Sequence, residues 1–482
     1  MRQLVLKNMN YDILFAIMAV QEVVFFAPIA KRLKDEEGLS VAFLTFHEAG
    51  DDILEREGIQ YFSLHKIKQQ MEQKDYADIS LSEIEGSLNI KIKDIVVHEM
   101  LTANRQDETF LHNKVIQYYA IIDKIFKENN IGCVVQELGG FIAPQLLYHI
   151  SRYHGNNHVF IEPAMFPKRI VFTLNRLYAD IDSYDDRVLN AALDKDVDVL
   201  VRRYMESKTV VIPKKDRHFF QDMGLMRLFS PDNFRRLSRK LYHKYILGRK
   251  EEYDAIMWYA LYHFIKLYRR KILNLYYSEP KAGEKYIYFP FHVPLDVQLT
   301  VRCPEFLAQE TVVEQIAKAV PPDYMLYIKE HPAAIGGHSL KRLKKLLALD
   351  KVRLLHSRHN SFDIIKNSAC VVTINSKVGF EAIMQGKPVV VLGKTFYRNK
   401  GVTIDAENIS DIKNAINKAL GMSIDNNKRN HFLNSAYKWS YSGELYENSP
   451  ENVNNFYNSL RDFLLKSVVV KKEAVVLEEA LK

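Results

Sequence analysis

The chain has 482 residues, 47% of them apolar and 11% aromatic, which excludes a disordered polymer and predicts two or three folded domains. Its formal charge is +8, yet 15 Lys/Arg against 6 Asp/Glu fall within 214–271, so the rest of the chain is close to neutral. The three cysteines, Cys133, Cys303 and Cys370, are scattered and match no zinc spacing, which points to a reduced, cytoplasmic setting. No run approaches the roughly 20 apolar residues that a membrane span requires, so the sequence predicts a soluble or membrane-peripheral protein.

In chain order, the apolar pattern predicts strands at 12–20, 39–46 and 60–64, separated by helices at 23–36 and 51–57. A polar, less regular stretch occupies 66–104. A long helix at 109–129 leads into a strand at 132–136, and a helix at 144–154 into a strand at 158–162. Strands separated by helical segments of this length imply parallel βαβ units. Charged helices without evident strands follow, up to a linker at 278–284. Alternation then resumes with strands at 286–291, 324–329, 352–355, 369–374 and 388–392, and with helices at 304–320, 339–349, 361–367 and 377–384. Later helices are predicted at 410–420, 430–439 and 452–465, before a charged tail. The expected organisation is an N-terminal Rossmann-like domain (1–185), a basic helical insertion (186–280), a C-terminal Rossmann-like domain (281–425), and C-terminal helices with a tail (426–482). The fold class is α/β, two such domains facing across a cleft.

In an open parallel sheet, ligands bind beyond the carboxyl ends of the strands, and several polar clusters occupy such positions. Lys329-Glu330-His331-Pro332 leaves one strand; the imidazole can hydrogen-bond a phosphate or ribose, with Pro332 fixing the backbone. Asn375-Ser376-Lys377 opens a helix whose free N–H groups favour an anion. Ser376 is either an N-cap or a phosphate ligand, and Gly379 permits close approach of a ligand or a strand. Glu381 either accepts from ribose hydroxyls or pairs with Lys377 one turn away. Lys394 follows a further strand. His292, at the expected interdomain mouth, is a catalytic candidate, with a structural histidine as the alternative.

From the N-terminal half, Glu137 precedes two glycines in what reads as an open turn, and Glu162 ends the next strand. Either carboxylate can serve as acid/base or nucleophile; either can instead cap a helix, or pair with Arg169. Lys168 and Arg169 are candidates for offsetting a ligand's carboxylate or phosphate charge, and Gln21 and Glu22, after the first strand, for contacting a second ligand. The glycine spacings of a P-loop or a dinucleotide fingerprint are absent. An Asp-x-Asp element at a strand end is lacking too, so no metal and no cofactor beyond the co-substrate is expected.

The segments 288–294, 329–332, 360–363, 373–381 and 386–397 occur in order, and together they resemble the bacterial capsule polysaccharide synthesis family, which includes retaining Kdo transferases. The likeness is specific over 286–403 and loose elsewhere. It implies a GT-B-like fold, a nucleotide-sugar donor held by the C-terminal domain, and an acceptor held by the N-terminal one. His331-Pro332 and the Ser376 loop are also similar to features of bacterial sialyltransferases that use CMP-sugars, which implies His331 and Pro332 on the nucleotide and Ser376 on the phosphate. The resulting expectation is a glycosyltransferase moving Kdo or another acidic sugar from a CMP donor to a polysaccharide or glycolipid acceptor. Alternatives are a nucleotide-sugar epimerase, a polyol-phosphate transferase, or a non-catalytic capsule-assembly protein. The basic, aromatic 214–271 segment suits an anionic membrane surface at the inner face of the cell membrane; a solvated helical insertion and nucleic acid are the other readings.

Overall fold

The computed structural model describes residues 8–181, 184–185, 192–208 and 231–469. The expectations for residues 214–230 and for the tail beyond Val469 lie outside them.

The N-terminal unit begins β1 Asn10–Ile17, α1 Val20–Glu37, β2 Val41–Thr45, α2 Glu48–Arg56 and β3 Gln60–Ser63. Where the sequence suggested irregular structure, three short helices form: α3 Leu64–Gln70, α4 Leu81–Leu88 and α5 Ile92–Thr102. Polar residues mask their periodicity, yet each buries apolar residues, Leu64, Ile84 and Ile95 among them, against the same face of the sheet. Next come α6 Glu108–Glu128, β4 Asn130–Glu137, α7 Ile142–Tyr153, β5 Asn157–Pro163 and β6 Arg169–Leu174. β6 was not anticipated. It turns back antiparallel on β5 through a hairpin in which Lys168 has φ 54°.

The segment α8 Lys195–Ser207, α9 Pro231–Leu241, a π turn at Tyr242–Ile246, and α10 Ile256–Leu273 joins the two units. The C-terminal unit contains β7 Tyr277–Ser278, β8 Tyr286–Pro290, α11 Val297–Thr300, α12 Gln309–Ala319, β9 Met325–Lys329, α13 Leu340–Leu347 and β10 Val352–Leu355. It continues with α14 Ser361–Asn367, β11 Cys370–Thr373, α15 Lys377–Met384, β12 Val389–Val391, β13 Ile404–Asp405, α16 Ile412–Leu420 and α17 Asn426–Trp439. The chain then crosses back with β14 Tyr441–Ser442 and α18 Pro450–Leu464.

Two seven-stranded sheets result, with orders β14-β6-β5-β4-β1-β2-β3 and β13-β12-β11-β8-β9-β10-β7. The second is parallel throughout, and the first is parallel from β3 to β5 with an antiparallel edge. Runs such as Tyr286–Pro290 and Val389–Val391 are buried at every position, as strands covered on both faces must be. β14 pairs with β6, and α18 packs on α1, where the Phe25 and Phe456 rings meet edge-on at 4.9 Å. The last 30 described residues thus tie the C-terminal end of the chain to the N-terminal sheet. Among the described residues no helix is long and apolar enough to cross a membrane. All three cysteines are free and buried.

Candidate functional site

The carboxyl ends of the two sheets face each other across a cleft of about 1800 Å³, with α9 and α10 along one side. Single small-ligand pockets are roughly 300–1,000 Å³, so this space exceeds what one small ligand fills.

On the C-terminal wall, β9 runs into Lys329-Glu330-His331-Pro332. The Lys329 ammonium is buried and donates to the His359 carbonyl (2.8 Å) and to Ser361 Oγ (2.6 Å), anchoring the loop before α14. Burial lowers its pKa to about 8, against the pull of Glu381. Glu330 accepts from Tyr277 Oη (3.2 Å) and from the Gly336 N–H (3.0 Å), so its carboxylate shapes the 331–336 loop. Burial raises its pKa. His331 Nδ1 accepts from the Ala333 N–H (3.2 Å), which leaves the ring proton on Nε2. Burial, and then Lys329 and Lys377, push its pKa down to about 4, so the ring is neutral. Pro332 opens the short 3₁₀ turn that fixes this geometry.

Four further groups on this wall share one property. Both ring nitrogens of His292, Asn375 Oδ1, Glu381 Oε2 and Tyr288 Oη are buried without a well-formed hydrogen bond among the described residues, although Asn375 and Gln309 stand close to His292 and Ser361 close to Tyr288. All four residues line the cleft. A buried polar atom left unpaired costs about 1–3 kcal/mol, so several together mark a place for a polar ligand. Burial, then His331, lowers the His292 pKa to about 4, with Asn375 opposing weakly from nearby. The Asn375 amide nitrogen is committed to the Gln298 carbonyl (2.9 Å) and Cys303 Sγ (3.3 Å), which turns its oxygen outward from those contacts. Burial raises the Glu381 pKa to about 7, although Lys377 and Lys329 lower it.

Ser376 does cap α15: its Oγ accepts from the Val378 N–H at 3.2 Å, which leaves the hydroxyl proton available to a ligand. Lys377 lines the cleft beside it. Gly379 permits close packing, because a Cβ there would stand 2.5 Å from Tyr397 Oη and 2.8 Å from its Cζ. Lys394 is exposed at the rim, its Nζ 6.0 Å from the centre of the Tyr178 ring on the opposite wall.

On the N-terminal wall, Glu137 and Glu162 end adjacent strands and both line the cleft. Glu137 accepts from Tyr446 Oη. Glu162 pairs with Arg302, not with Arg169. Arg302 also donates to the Leu177 carbonyl (2.8 Å) and to Gln298 Oε1 (2.9 Å), so one guanidinium bridges both units. The turn after Glu137 is packed, not open: Gly139 lies against Met18 and Pro144, and Gly140 against the His98 ring. His98 Nδ1 meets Thr300 Oγ1 at 2.8 Å, another contact between the units.

Several candidates fall outside the cleft. Lys168 is exposed on the β5–β6 hairpin, where its positive φ points to turn geometry. Arg169 donates to Ser440 Oγ (2.6 Å) and lies over the Tyr437 ring (4.0 Å), stapling the crossover before β14. Gln21 is exposed on α1. Glu22 is buried, accepts from the Met18 N–H (2.8 Å), and faces a side chamber of about 140 Å³ that Glu137 also lines. Arg302, Tyr288 and the aromatic lining from Trp258, Tyr262 and Trp439 were not expected as site residues. A lone arginine within Leu299–Cys303 was the only sequence sign of the bridge.

Residues 231–437 match the family described as capsule polysaccharide biosynthesis protein, a stretch that begins at α9 and includes all of the C-terminal wall. Protein FixF of Sinorhizobium fredii (strain NBRC 101917 / NGR234) is 29% identical over 162 residues, covering 32% of this chain and 37% of that protein. The capsule polysaccharide export protein KpsS of Escherichia coli is 28% identical over 163 residues, 31% of this chain and 41% of KpsS. The chain therefore spans less than half the length of either relative. Among solved structures, KpsC of Thermosulfurimonas dismutans, a beta Kdo 2,4 transferase, aligns over 70% of this chain and 92% of that one, at 14% identity and a TM-score of 0.36.

Proposed function

We propose, from the premise that residues 231–437 belong to the capsule polysaccharide biosynthesis family, that this protein is a glycosyltransferase that moves an acidic sugar from a CMP-type donor to a capsule or surface-glycan acceptor. The observation that carries the reading is the row of buried polar groups, His292, Asn375, Glu381 and Tyr288, whose hydrogen bonding within the protein is incomplete, opposite Glu137 and Glu162 across one cleft.

In this reading the nucleotide lies on the C-terminal wall. Its phosphate meets the first turn of α15, the Ser376 hydroxyl and Lys377, and His331 donates from Nε2. Glu381 accepts from ribose hydroxyls. The sugar projects toward the N-terminal wall. An acceptor oxygen bonds to the anomeric carbon as the bond from that carbon to the phosphate oxygen breaks. Lys377 and the helix N-terminus stabilise the departing charge without a metal. Glu162, clasped by Arg302, is a fixed anion. Glu137 either takes the acceptor proton in that single displacement, or attacks the anomeric carbon as the phosphate bond breaks, the acceptor oxygen then displacing it and its proton passing to the released carboxylate.

The test is calorimetry with CMP, UDP and CDP, followed by turnover with the matching nucleotide sugar. CMP release that depends on acceptor supports the proposal. Conversion of the sugar without acceptor would identify an epimerase, and the absence of binding by any nucleotide would leave a non-catalytic protein. Intact mass after mixing with donor alone separates the two uses of Glu137, because only attack leaves an adduct.

A further inference from the structure

The linking segment has more apolar surface exposed than its packing explains. On α10, Met257, Leu261, Phe264 and Tyr268 follow one another at intervals of four, three and four residues, which places them on one helix face. All four are more than half exposed. The neighbouring side of the helix carries Trp258 and Tyr262, which line the cleft. On α9 and its π turn, Phe234, Leu237, Leu241 and Tyr245 form a second stripe, with Phe234 72% exposed and Ile246 70% exposed beside it.

Cations accompany the α9 stripe and stand at both ends of the α10 stripe, at Lys250 and Lys271. Residues 231–276 contain 11 Lys/Arg and 4 Asp/Glu. Arg235, Arg236, Arg239, Lys240, Lys250 and Lys271 are exposed. The patch continues into the cleft, because Phe234, Leu237 and Phe264 also line it.

We infer that the 231–276 segment docks on an anionic bilayer, with its two apolar stripes in the headgroup region and its cations on lipid phosphates. An amphipathic helix with a strongly cationic polar face and an uncovered apolar one binds the bilayer interface through both terms together. A second copy of the chain fits less well, since a self-complementary contact would oppose two cationic patches. Nucleic acid would satisfy the cations and leave Met257, Leu261, Ile246 and Leu247 uncovered. Docking is independent of the transferase reading and is measured without donor.

The experiment is sedimentation of the full chain with phosphatidylcholine vesicles, with and without phosphatidylglycerol, at low and high salt. Expected is binding to the anionic vesicles alone, released by salt. Arg235→Gln with Arg239→Gln should weaken it by roughly 25-fold, at about a fivefold loss per cation. Met257→Ser with Leu261→Ser and Tyr268→Ser should abolish binding with the thermal midpoint unchanged. Absence of binding to anionic vesicles, or equal binding to neutral ones, overturns the proposal. So does a dimer in solution that the Met257, Leu261 and Tyr268 changes dissociate, or oligonucleotide binding that tolerates those three changes and is lost with the arginines.

Discussion

Arg302, just beyond α11 in the C-terminal unit, donates to Glu162 at the end of a strand in the N-terminal sheet. Both side chains are largely buried, at 7% and 13% exposure. Removing one partner of such a pair strands the other charge, at about 3–5 kcal/mol. Arg302→Ala is therefore expected to lower the denaturant midpoint clearly. Adding Glu162→Gln should recover much of the loss, and denaturation of the single and double variants by urea is the check.

Glu137→Gln keeps the side-chain volume and an oxygen for Tyr446 to donate to. Turnover is expected to fall by about 10²–10⁴-fold, with nucleotide affinity within a factor of two or so of the parent. Tyr446→Phe should cost far less. Equal affinity and equal turnover in Glu137→Gln would remove this residue from the chemistry.

Glu381 has a pH signature. Its carboxyl ionises near 4.5 when solvated and at about 7 in the fold, because burial disfavours the anion. Between those values the unfolded chain has lost the proton and the folded chain retains it, so stability falls as pH rises through the window. The decline amounts to about 3 kcal/mol. Glu381→Gln cannot ionise and should flatten this part of the profile, as read by denaturation midpoints across the window.

Gly379→Ala introduces a methyl group that meets the Tyr397 ring and hydroxyl. The Tyr397 hydroxyl is itself engaged with the Ser376 carbonyl at 2.6 Å, so the ring cannot withdraw freely. The expected cost is about 1–3 kcal/mol, visible as a lower thermal midpoint. A second loss is expected in nucleotide affinity, since the displaced backbone is the first turn of α15.

Much of the framework was legible in the residues. Continuous apolar runs such as Ile287–Phe289 and Val371–Val372 carry a strand's burial in their own composition. The polar residues directly after each run identified the cleft end of the C-terminal sheet, and His292, His331, Asn375 and Glu381 do line one cavity. β6 was missed because its six residues, Arg169–Leu174, follow Pro167 and Lys168 in a region without a helical neighbour to frame it. α3 to α5 were missed because their stabilisation comes from docking onto the sheet, which local polarity conceals.

Sequence by itself determined the alternation of strand and helix and which residues stand at strand ends, because burial in parallel sheets and turn chemistry act over a few neighbouring positions. Only the tertiary structure decided which of those residues share a site. Arg169 opens β6 and Arg302 follows α11, yet it is the second that clasps Glu162 across the cleft while the first staples the C-terminal crossover. That choice depends on partners 271 and 140 residues away, a separation that no local pattern encodes.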